Sequence, residues 1–142
     1  MNRKRQVQTS IRRTKRTVLT ALVQVRFRDG ETLLLSKEPE RRIGAIYVAG
    51  YGIECALKAR LCTERRVDTL PPEFARHDLH RLAESTTAWV NLEKRRDWHD
   101  AFVYLCSEWD VSMRYAMYPY DSTRVRKFIE KAKEFTKWLS EN

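Results

Sequence analysis

The feature that most constrains this chain is a series of apolar and small residues spaced three or four positions apart between residues 43 and 61. They are Ile43, Ile46, Gly50, Ile53, Leu57 and Leu61. This spacing is typical of one continuous face of an α-helix. The same stretch is rich in small residues, at Ala45, Ala49, Gly52 and Ala56. Because small side chains let a neighbouring helix come close, we predict a slim central helix over residues 39–65, with Pro39 in its first turn.

Four further segments repeat near the helical period. Residues 18–36 predict a first helix, which Gly30 would kink or divide in two. A short helix is predicted after Asp78, whose side chain suits a helix cap, and a last helix after Asp121. A further helix is predicted over residues 91–109. No segment alternates with the period of a strand, so we predict an all-α fold, an up-and-down bundle of four or five helices.

The net charge of +9 lies mostly at the beginning of the chain. Residues 1–16 contain seven lysines and arginines and no acidic residue, which leaves a net charge of +2 for residues 17–142. We therefore divide the chain into a basic N-terminal tail, residues 1–16, and one helical domain, residues 17–142. Such a tail can bind nucleic-acid phosphates, act as a solvated arm, or imitate a mitochondrial transit peptide.

The remaining composition narrows the class of protein. No stretch approaches the roughly eighteen apolar residues of a transmembrane helix, so we predict no membrane partner. The cysteines Cys55, Cys62 and Cys106 lie in apolar helical patterns without the spacing of metal ligands, which favours reduced thiols that act as small hydrophobic side chains. We expect a cytoplasmic protein that needs no cofactor and no metal.

Two groups of polar residues are candidates for chemistry. Glu54 and Lys58 are four positions apart in the slim helix, where they form either a surface ion pair or the lining of a cleft. His77 and His80 flank Asp78 and Leu79. Two imidazoles are too few for a metal site, so His77 is either a buried hydrogen-bonded histidine or an acid–base group.

A third candidate lies before the last helix, where Arg114 and Tyr115 precede Pro119. A guanidinium at this point can bond the carbonyls of a helix end or bind a phosphate in a cleft. Tyr115, Tyr118 and Tyr120 surround it in sequence. Aromatic rings beside arginines can stack on bases or simply line the core.

The order and spacing of these three elements resemble HEPN domains over residues 18–142. The stretch from Gly44 to Ala59 is similar to their second helix, where a Glu-x-x-x-Lys pair follows small residues. Residues 77–82 are similar to their His-[Asp/Ser]-Leu-x-x-Leu element, and Arg114, Tyr115 and Pro119 to their Arg-Tyr-Pro region. The candidate cleft residues are therefore Glu54, Lys58, Asp78, Tyr115, Tyr47 and Tyr51.

The resemblance implies a helical bundle that forms a homodimer and acts on or binds RNA. Many members are metal-independent endoribonucleases of prokaryotic toxin–antitoxin, phage-defence and CRISPR systems. Others are associated with a small nucleotidyltransferase that serves as the antitoxin. The partners implied for this chain are therefore a second copy, RNA or a nucleotide, and a nucleotidyltransferase or other antitoxin.

The sequence departs from this family at its catalytic motif. Catalytic members carry an arginine followed four to six residues later by a histidine, whereas no histidine follows Arg114 in that window. Three hypotheses remain. The chain is a module that engages RNA, a nucleotide or a partner protein; or an endoribonuclease that uses Arg114 with His77 or a tyrosine; or a structural adaptor.

Overall fold

The structure, a computed structural model, describes residues 14–116 and 120–142. Six α-helices follow one another: α1 (Arg16–Leu34), α2 (Arg41–Arg65), α3 (Leu79–Glu84), α4 (Ala88–Lys94), α5 (Arg96–Glu108) and α6 (Ser122–Glu141). Two 3₁₀ helices, Pro72–Phe74 and Val111–Tyr115, lie in the connections. Within these ranges there is no strand, only an isolated bridge between Lys15 and Thr69. The prediction of an all-α fold is confirmed.

Helix α2 is the centre of the structure and packs against α1, α3 and α6. Its glycines are positions of close approach. A Cβ atom on Gly50 would lie 2.0 Å from the indole of Trp109, and one on Gly52 would lie 2.6 Å from the ring of Phe27. Such distances are too short for any side chain, so the absence of one is what lets these aromatic rings lie on the helix. The prediction of a slim central helix is confirmed, but Pro39 lies in the turn before the helix and not in its first turn, because the helix begins at Arg41.

Helix α1 is a single helix, and the predicted division into two helices at Gly30 is wrong. Gly30 is buried against α2, where an added Cβ would lie 3.0 Å from the carbonyl oxygen of Ala45. Close packing therefore explains this glycine, because a neighbouring helix backbone occupies the space. The helix begins at Arg16, the last residue assigned to the tail, and the backbone N–H of Arg16 donates to the carbonyl of Asp68 at 2.8 Å.

The helix predicted over residues 91–109 is two helices, α4 and α5, and the described residues form six helices where four or five were predicted. Arg95 separates them with an extended backbone, at φ −108° and ψ 94°. Residues 93–97 are all charged, so they offer no apolar face that would hold a continuous helix against the core. The Arg95 guanidinium instead bonds the carboxylate of Asp97 in the first turn of α5, at 3.0 Å.

The cap predicted at Asp78 is confirmed, and the last helix begins after Asp121 as predicted. Asp78 accepts a hydrogen bond from the backbone N–H of Arg81, and Asp121 accepts one from the N–H of Thr123. Helix α6 then presents a buried apolar face to α2 and α5. Its members are Val125, Phe128, Ile129, Ala132, Phe135 and Leu139. These caps and this face depend on residues that are close together in the sequence. They determine where the helices around the candidate site begin and how those helices pack.

Candidate functional site

The candidate site is built around one buried carboxylate on α2. Glu54 is 4% exposed and Lys58 7% exposed, and the Lys58 ammonium lies 3.1 Å from Glu54 Oε2. The interpretation of this pair as a surface pair is therefore wrong. Buried charges are costly unless they are paired and hydrogen-bonded. The pair thus places two fixed charges inside the protein, one helical turn apart.

The second oxygen of Glu54 reaches a histidine from a different part of the chain. His77 Nδ1 lies 2.7 Å from Glu54 Oε1, while 53% of the His77 side chain remains exposed. The expectation of a hydrogen-bonded histidine is confirmed, but the expectation that it is buried is wrong. A neutral imidazole that donates through Nδ1 leaves Nε2 as its acceptor. Glu54 therefore holds a half-exposed imidazole in a defined orientation.

Two tyrosines on α2 lie beside this histidine. The hydroxyl groups of Tyr47 and Tyr51 are 2.9 Å apart, and their rings meet edge to face. The ring of Tyr51 also contacts the rings of His77 and Trp109 edge to face, at centroid distances of 6.0 Å and 5.4 Å. Trp109 is fixed in turn, because its indole N–H donates to the carbonyl of Tyr47 at 2.9 Å. The aromatic rings thus form a wall that holds His77 in place.

The surroundings of Tyr51 keep its hydroxyl protonated. Burial, followed by the hydrogen bond with Tyr47 and the nearby charge of Glu54, raises the pKa of Tyr51 to about 12. The positive charge of Arg114 acts on the same pKa in the opposite direction. Tyr51 is therefore a neutral hydroxyl at physiological pH, and the Arg114 guanidinium is close enough to it to be felt electrostatically.

Arg114 and Tyr115 are exposed residues of the 3₁₀ helix Val111–Tyr115, which contacts α2. The Arg114 guanidinium stacks on the ring of Tyr115 at 4.8 Å, and Tyr115 is 76% exposed. Pro119 and Tyr118 of the same sequence element lie outside the described residues. The structure therefore joins Tyr47, Tyr51, His77, Glu54 and Lys58 in one chain of pairwise contacts. Arg114 acts on this group electrostatically, through Tyr51.

A pocket of about 360 Å³ opens beside His77, between the segment leading into α3 and the end of α5. The sequence candidate Asp78 lines it, while one of its oxygens caps α3. Asp110 and Trp109 line it as well, and sequence reasoning missed both as site residues. A local signal for Asp110 existed, because Asp-Val-Ser is a turn-capping pattern and Asp110 accepts the N–H of Ser112 at 2.6 Å.

A second cavity, of about 710 Å³, lies on the other side of Tyr47 and Tyr51, between α1 and α2. Its lining is mainly apolar, with Leu22 and Leu33 from α1, and it includes the ionic pair of Arg26 and Asp29 at 3.1 Å. Tyr51 therefore lines this apolar groove and also contacts His77, which lines the smaller pocket.

The cysteines are free thiols held in their neutral form. Burial raises the pKa of Cys55 to about 11, and burial together with the charge of Asp78 raises that of Cys106 to about 12. A protonated thiol is a poor nucleophile and a poor metal ligand. Within the described residues, no group of three or more histidine, cysteine or acidic side chains is placed to hold a metal ion. None of the described helices is long and apolar enough to cross a membrane.

Comparison with known proteins identifies no relative of this chain. No family model, curated protein sequence or solved structure matches the chain. The class that the described residues define is an all-α protein with a buried Glu–Lys pair that orients a half-exposed histidine. What this arrangement does has to be argued from its chemistry.

Proposed function

We propose that this protein is a HEPN-like helical domain that binds RNA through His77, Arg114 and the adjoining tyrosines, without an intact ribonuclease motif of that family. The observation that carries the proposal is the contact between Glu54 and His77, at 2.7 Å. This contact joins Glu54 of the first sequence element of the resemblance to His77 of the second, and the two residues are 23 positions apart. Arg114 of the third element acts electrostatically on Tyr51 of the first. The three elements thus belong to one surface.

The chemistry of this surface suits single-stranded RNA. A guanidinium stays charged and can grip a phosphate with two hydrogen bonds. Exposed aromatic rings such as Tyr115 can stack on unpaired bases, each contact contributing about 1–3 kcal/mol. The imidazole of His77 offers a further hydrogen bond at the same edge. In the resemblance, such domains act in prokaryotic toxin–antitoxin or defence systems, and we propose this setting, with a nucleotidyltransferase-type antitoxin as partner.

The proposal includes a homodimer. Symmetric dimers are the commonest oligomers, and the apolar groove beside Tyr47 and Tyr51 offers a surface for a second copy. A dimer through this groove would place two His77 surfaces on one particle. Light scattering at micromolar concentration should then give about twice the chain mass of 16.9 kDa, and a mass near that of one chain would contradict it.

Fluorescence anisotropy with short labelled RNA tests the binding proposal. Arg114→Ala and His77→Ala should each weaken binding about tenfold or more, because each removes a contact worth about 1–3 kcal/mol. Arg126→Ala and His99→Ala are matched controls, since Arg126 is exposed on α6 and His99 lies on α5. If the wild-type protein binds no RNA, or all four variants behave alike, the proposal fails and the adaptor hypothesis takes its place.

A second candidate function, a metal-independent endoribonuclease, is favoured by the same Glu54–His77 contact. A carboxylate that holds Nδ1 of an imidazole prepares Nε2 to take or give a proton. In such a reaction His77 would take the proton of a ribose 2′-hydroxyl, and Arg114 would stabilise the charge that develops on the phosphate. Attack by this hydroxyl breaks the bond between the phosphorus and the 5′-oxygen, which takes up a proton from water as it leaves. The products are a 2′,3′-cyclic phosphate and a 5′-hydroxyl end.

The end groups and the role of Glu54 distinguish catalysis from binding. An active enzyme should cut RNA in the presence of EDTA and leave cyclic phosphate ends, and His77→Ala should lower the rate about 10²–10⁴-fold. Glu54→Gln should shift the pH profile of cleavage, because it removes the charge beside the imidazole. Intact RNA after prolonged incubation with the wild-type protein would rule out the enzyme and leave the binding function.

A further inference from the structure

A third cavity, of about 730 Å³, lies between α1, α2 and α6, and we call it the three-helix groove. Most of its lining residues are three, four or seven positions apart on their helix, so each helix contributes one row. The row on α2 runs from Ala56 to Thr63, a length of about 10 Å along the helix axis. Thr63 is exposed, so the groove opens to solvent. An elongated occupant therefore fits it better than a compact one.

The groove is closed at one end, where α1 and α6 meet. An added Cβ on Gly30 of α1 would lie 3.4 Å from Ile129 of α6, an ordinary contact distance. Beyond this contact the cavity separates the two helices, and Ala56 and Ala59 of α2 between them are only half-buried. A place for one further helix, parallel to the walls, thus remains over this part of α2.

The hydroxyl groups of the groove do not oppose an apolar occupant. Thr63, Thr136 and Ser140 each donate the hydroxyl proton to a carbonyl of their own helix, at 3.1, 3.1 and 2.7 Å. A donor that is already bonded loses no partner when another side chain covers it. The groove, with Val23 and Ala59 among its apolar members, can therefore be buried without leaving an unpaired hydroxyl proton.

The charges of the groove lie on one side of it. Lys133 and Lys137 come from α6, and Arg60 comes from α2 but bonds the carbonyl of Leu139 on α6 at 2.7 Å. The described lining includes no acidic residue. The wall that α1 forms is neutral and consists of Thr20, Val23 and Gln24. An occupant thus meets positive charge along α6 and none along α1.

Lys137 is the cation with the most capacity to bind a new partner. Arg60 is paired with Glu64 at 2.8 Å, and Lys133 is paired with Glu31. Lys137 is exposed, and no ion pair between described residues includes it. A carboxylate that docks along α6 therefore gains an unshared ammonium group at Lys137.

We propose that the three-helix groove binds an amphipathic helix of a partner protein, with apolar side chains over Val23 and Ala59 and acidic side chains on the flank that faces Lys137. About two helical turns of the partner lie in the groove. Such helices dock through side chains three, four and seven positions apart, which is the spacing of the rows that line the groove. The inference does not rest on RNA binding, because the groove and the His77 pocket share no lining residue.

A displayed library of amphipathic helices tests the proposal, with peptides of about sixteen residues so that each can form a helix. Their polar positions are randomised. Clones that bind the wild-type protein but not Ala59→Trp are retained, because an indole at position 59 fills the groove. These clones should carry Asp or Glu on one flank. If Ala59→Trp does not fold, Lys137→Glu takes its place. Absence of retained clones, or retained clones without an acidic flank, overturns the proposal.

Charge reversal then locates the contact with one retained peptide, synthesised and labelled for anisotropy. Lys137→Glu should weaken its binding about tenfold, since a repulsion replaces an attraction. A peptide with lysines in place of its acids should prefer Lys137→Glu to the wild-type protein. Arg126→Glu is the matched control, because Arg126 is exposed on α6 and about 16 Å along the helix from Lys137.

The control should bind the acidic peptide within about twofold of the wild-type protein, because exposed charges beyond a Debye length are screened. Equal losses in Lys137→Glu and Arg126→Glu would show unspecific attraction and overturn the docking site. Light scattering gives the remaining outcome. If Lys137→Glu alone turns a dimer into a monomer, a second copy of this chain occupies the groove, and the proposal of an acidic partner helix is overturned.

Discussion

Replacing Gly50 by alanine should destabilise this protein more than any comparable exchange in its central helix. The added Cβ would lie 2.0 Å from two atoms of the Trp109 indole, whereas carbon atoms in contact are about 3.5–4.0 Å apart. The ring cannot move aside freely, because it is 4% exposed and its N–H bonds the carbonyl of Tyr47 at 2.9 Å. Either the indole leaves its position or α2 shifts.

The expected loss in the free energy of unfolding follows from the costs of these two outcomes. Overpacking of a core costs about 1–3 kcal/mol, and a buried hydrogen-bonding group left without its partner costs about 1–3 kcal/mol more. Alanine gains about 1 kcal/mol over glycine inside a helix. We therefore expect Gly50→Ala to lower the free energy of unfolding by about 3 kcal/mol.

Gly44→Ala is the matched control, because Gly44 lies in the same helix and its added Cβ would lie 3.7 Å from Leu33, an ordinary contact. This variant should gain about 0.5–1 kcal/mol from helix propensity alone. Urea unfolding followed by far-ultraviolet circular dichroism measures both. If Gly50→Ala is as stable as Gly44→Ala, the close approach of Trp109 to α2 is not the constraint that we describe.

Three further predictions concern charge. Lys58→Ala leaves Glu54 buried with one partner fewer, and urea unfolding should show a loss of about 3–5 kcal/mol, against at most about 1 kcal/mol for Lys131→Ala in an exposed pair. For Glu64, burial raises the pKa, but hydrogen bonds from Thr87 and Arg60 outweigh it and lower the pKa overall. The ionised Glu64 carboxylate therefore stabilises the folded protein above its ordinary pKa, and this stabilisation is lost as the pH falls through the lowered pKa. In urea titrations, the stability advantage of the wild-type protein over Glu64→Gln should vanish at acid pH. Deletion of residues 1–13 removes five positive charges. If the tail binds phosphates, anisotropy titrations of this variant should show a smaller slope of RNA affinity against salt concentration. An unchanged slope would assign RNA binding to the folded surface.

The parts of this fold that could be predicted from sequence are those that depend on neighbouring residues. Asp78 and Asp121 cap helices because each side chain reaches an N–H two or three positions ahead. The apolar face of α6 follows in the same way from its helical spacing. The division at Arg95 was missed, because the apolar spacing behind that prediction starts at Trp98 and does not specify where the helix begins.

The candidate site depends on contacts between distant positions, which a single sequence does not reveal. The spacing of Glu54 and Lys58 predicted an ion pair, but its burial depends on the elements that cover α2. The partner of Glu54 is 23 positions away at His77. Gly50 was recognised as a small residue, yet only the structure identifies Trp109 as the group that needs the space.

The two oxygens of Glu54 connect the surface of this protein to its interior. One oxygen bonds a lysine that is 7% exposed, and the other bonds a histidine whose side chain is 53% exposed. Ligand binding at His77 and the stability of the fold around α2 therefore both depend on the Glu54 carboxylate. By thermodynamic linkage, a ligand that stabilises the fold binds more tightly to the folded protein by the same free energy. Occupancy at the surface should be measurable as resistance to unfolding, and a substitution at Lys58, which need not touch the ligand, should change its affinity.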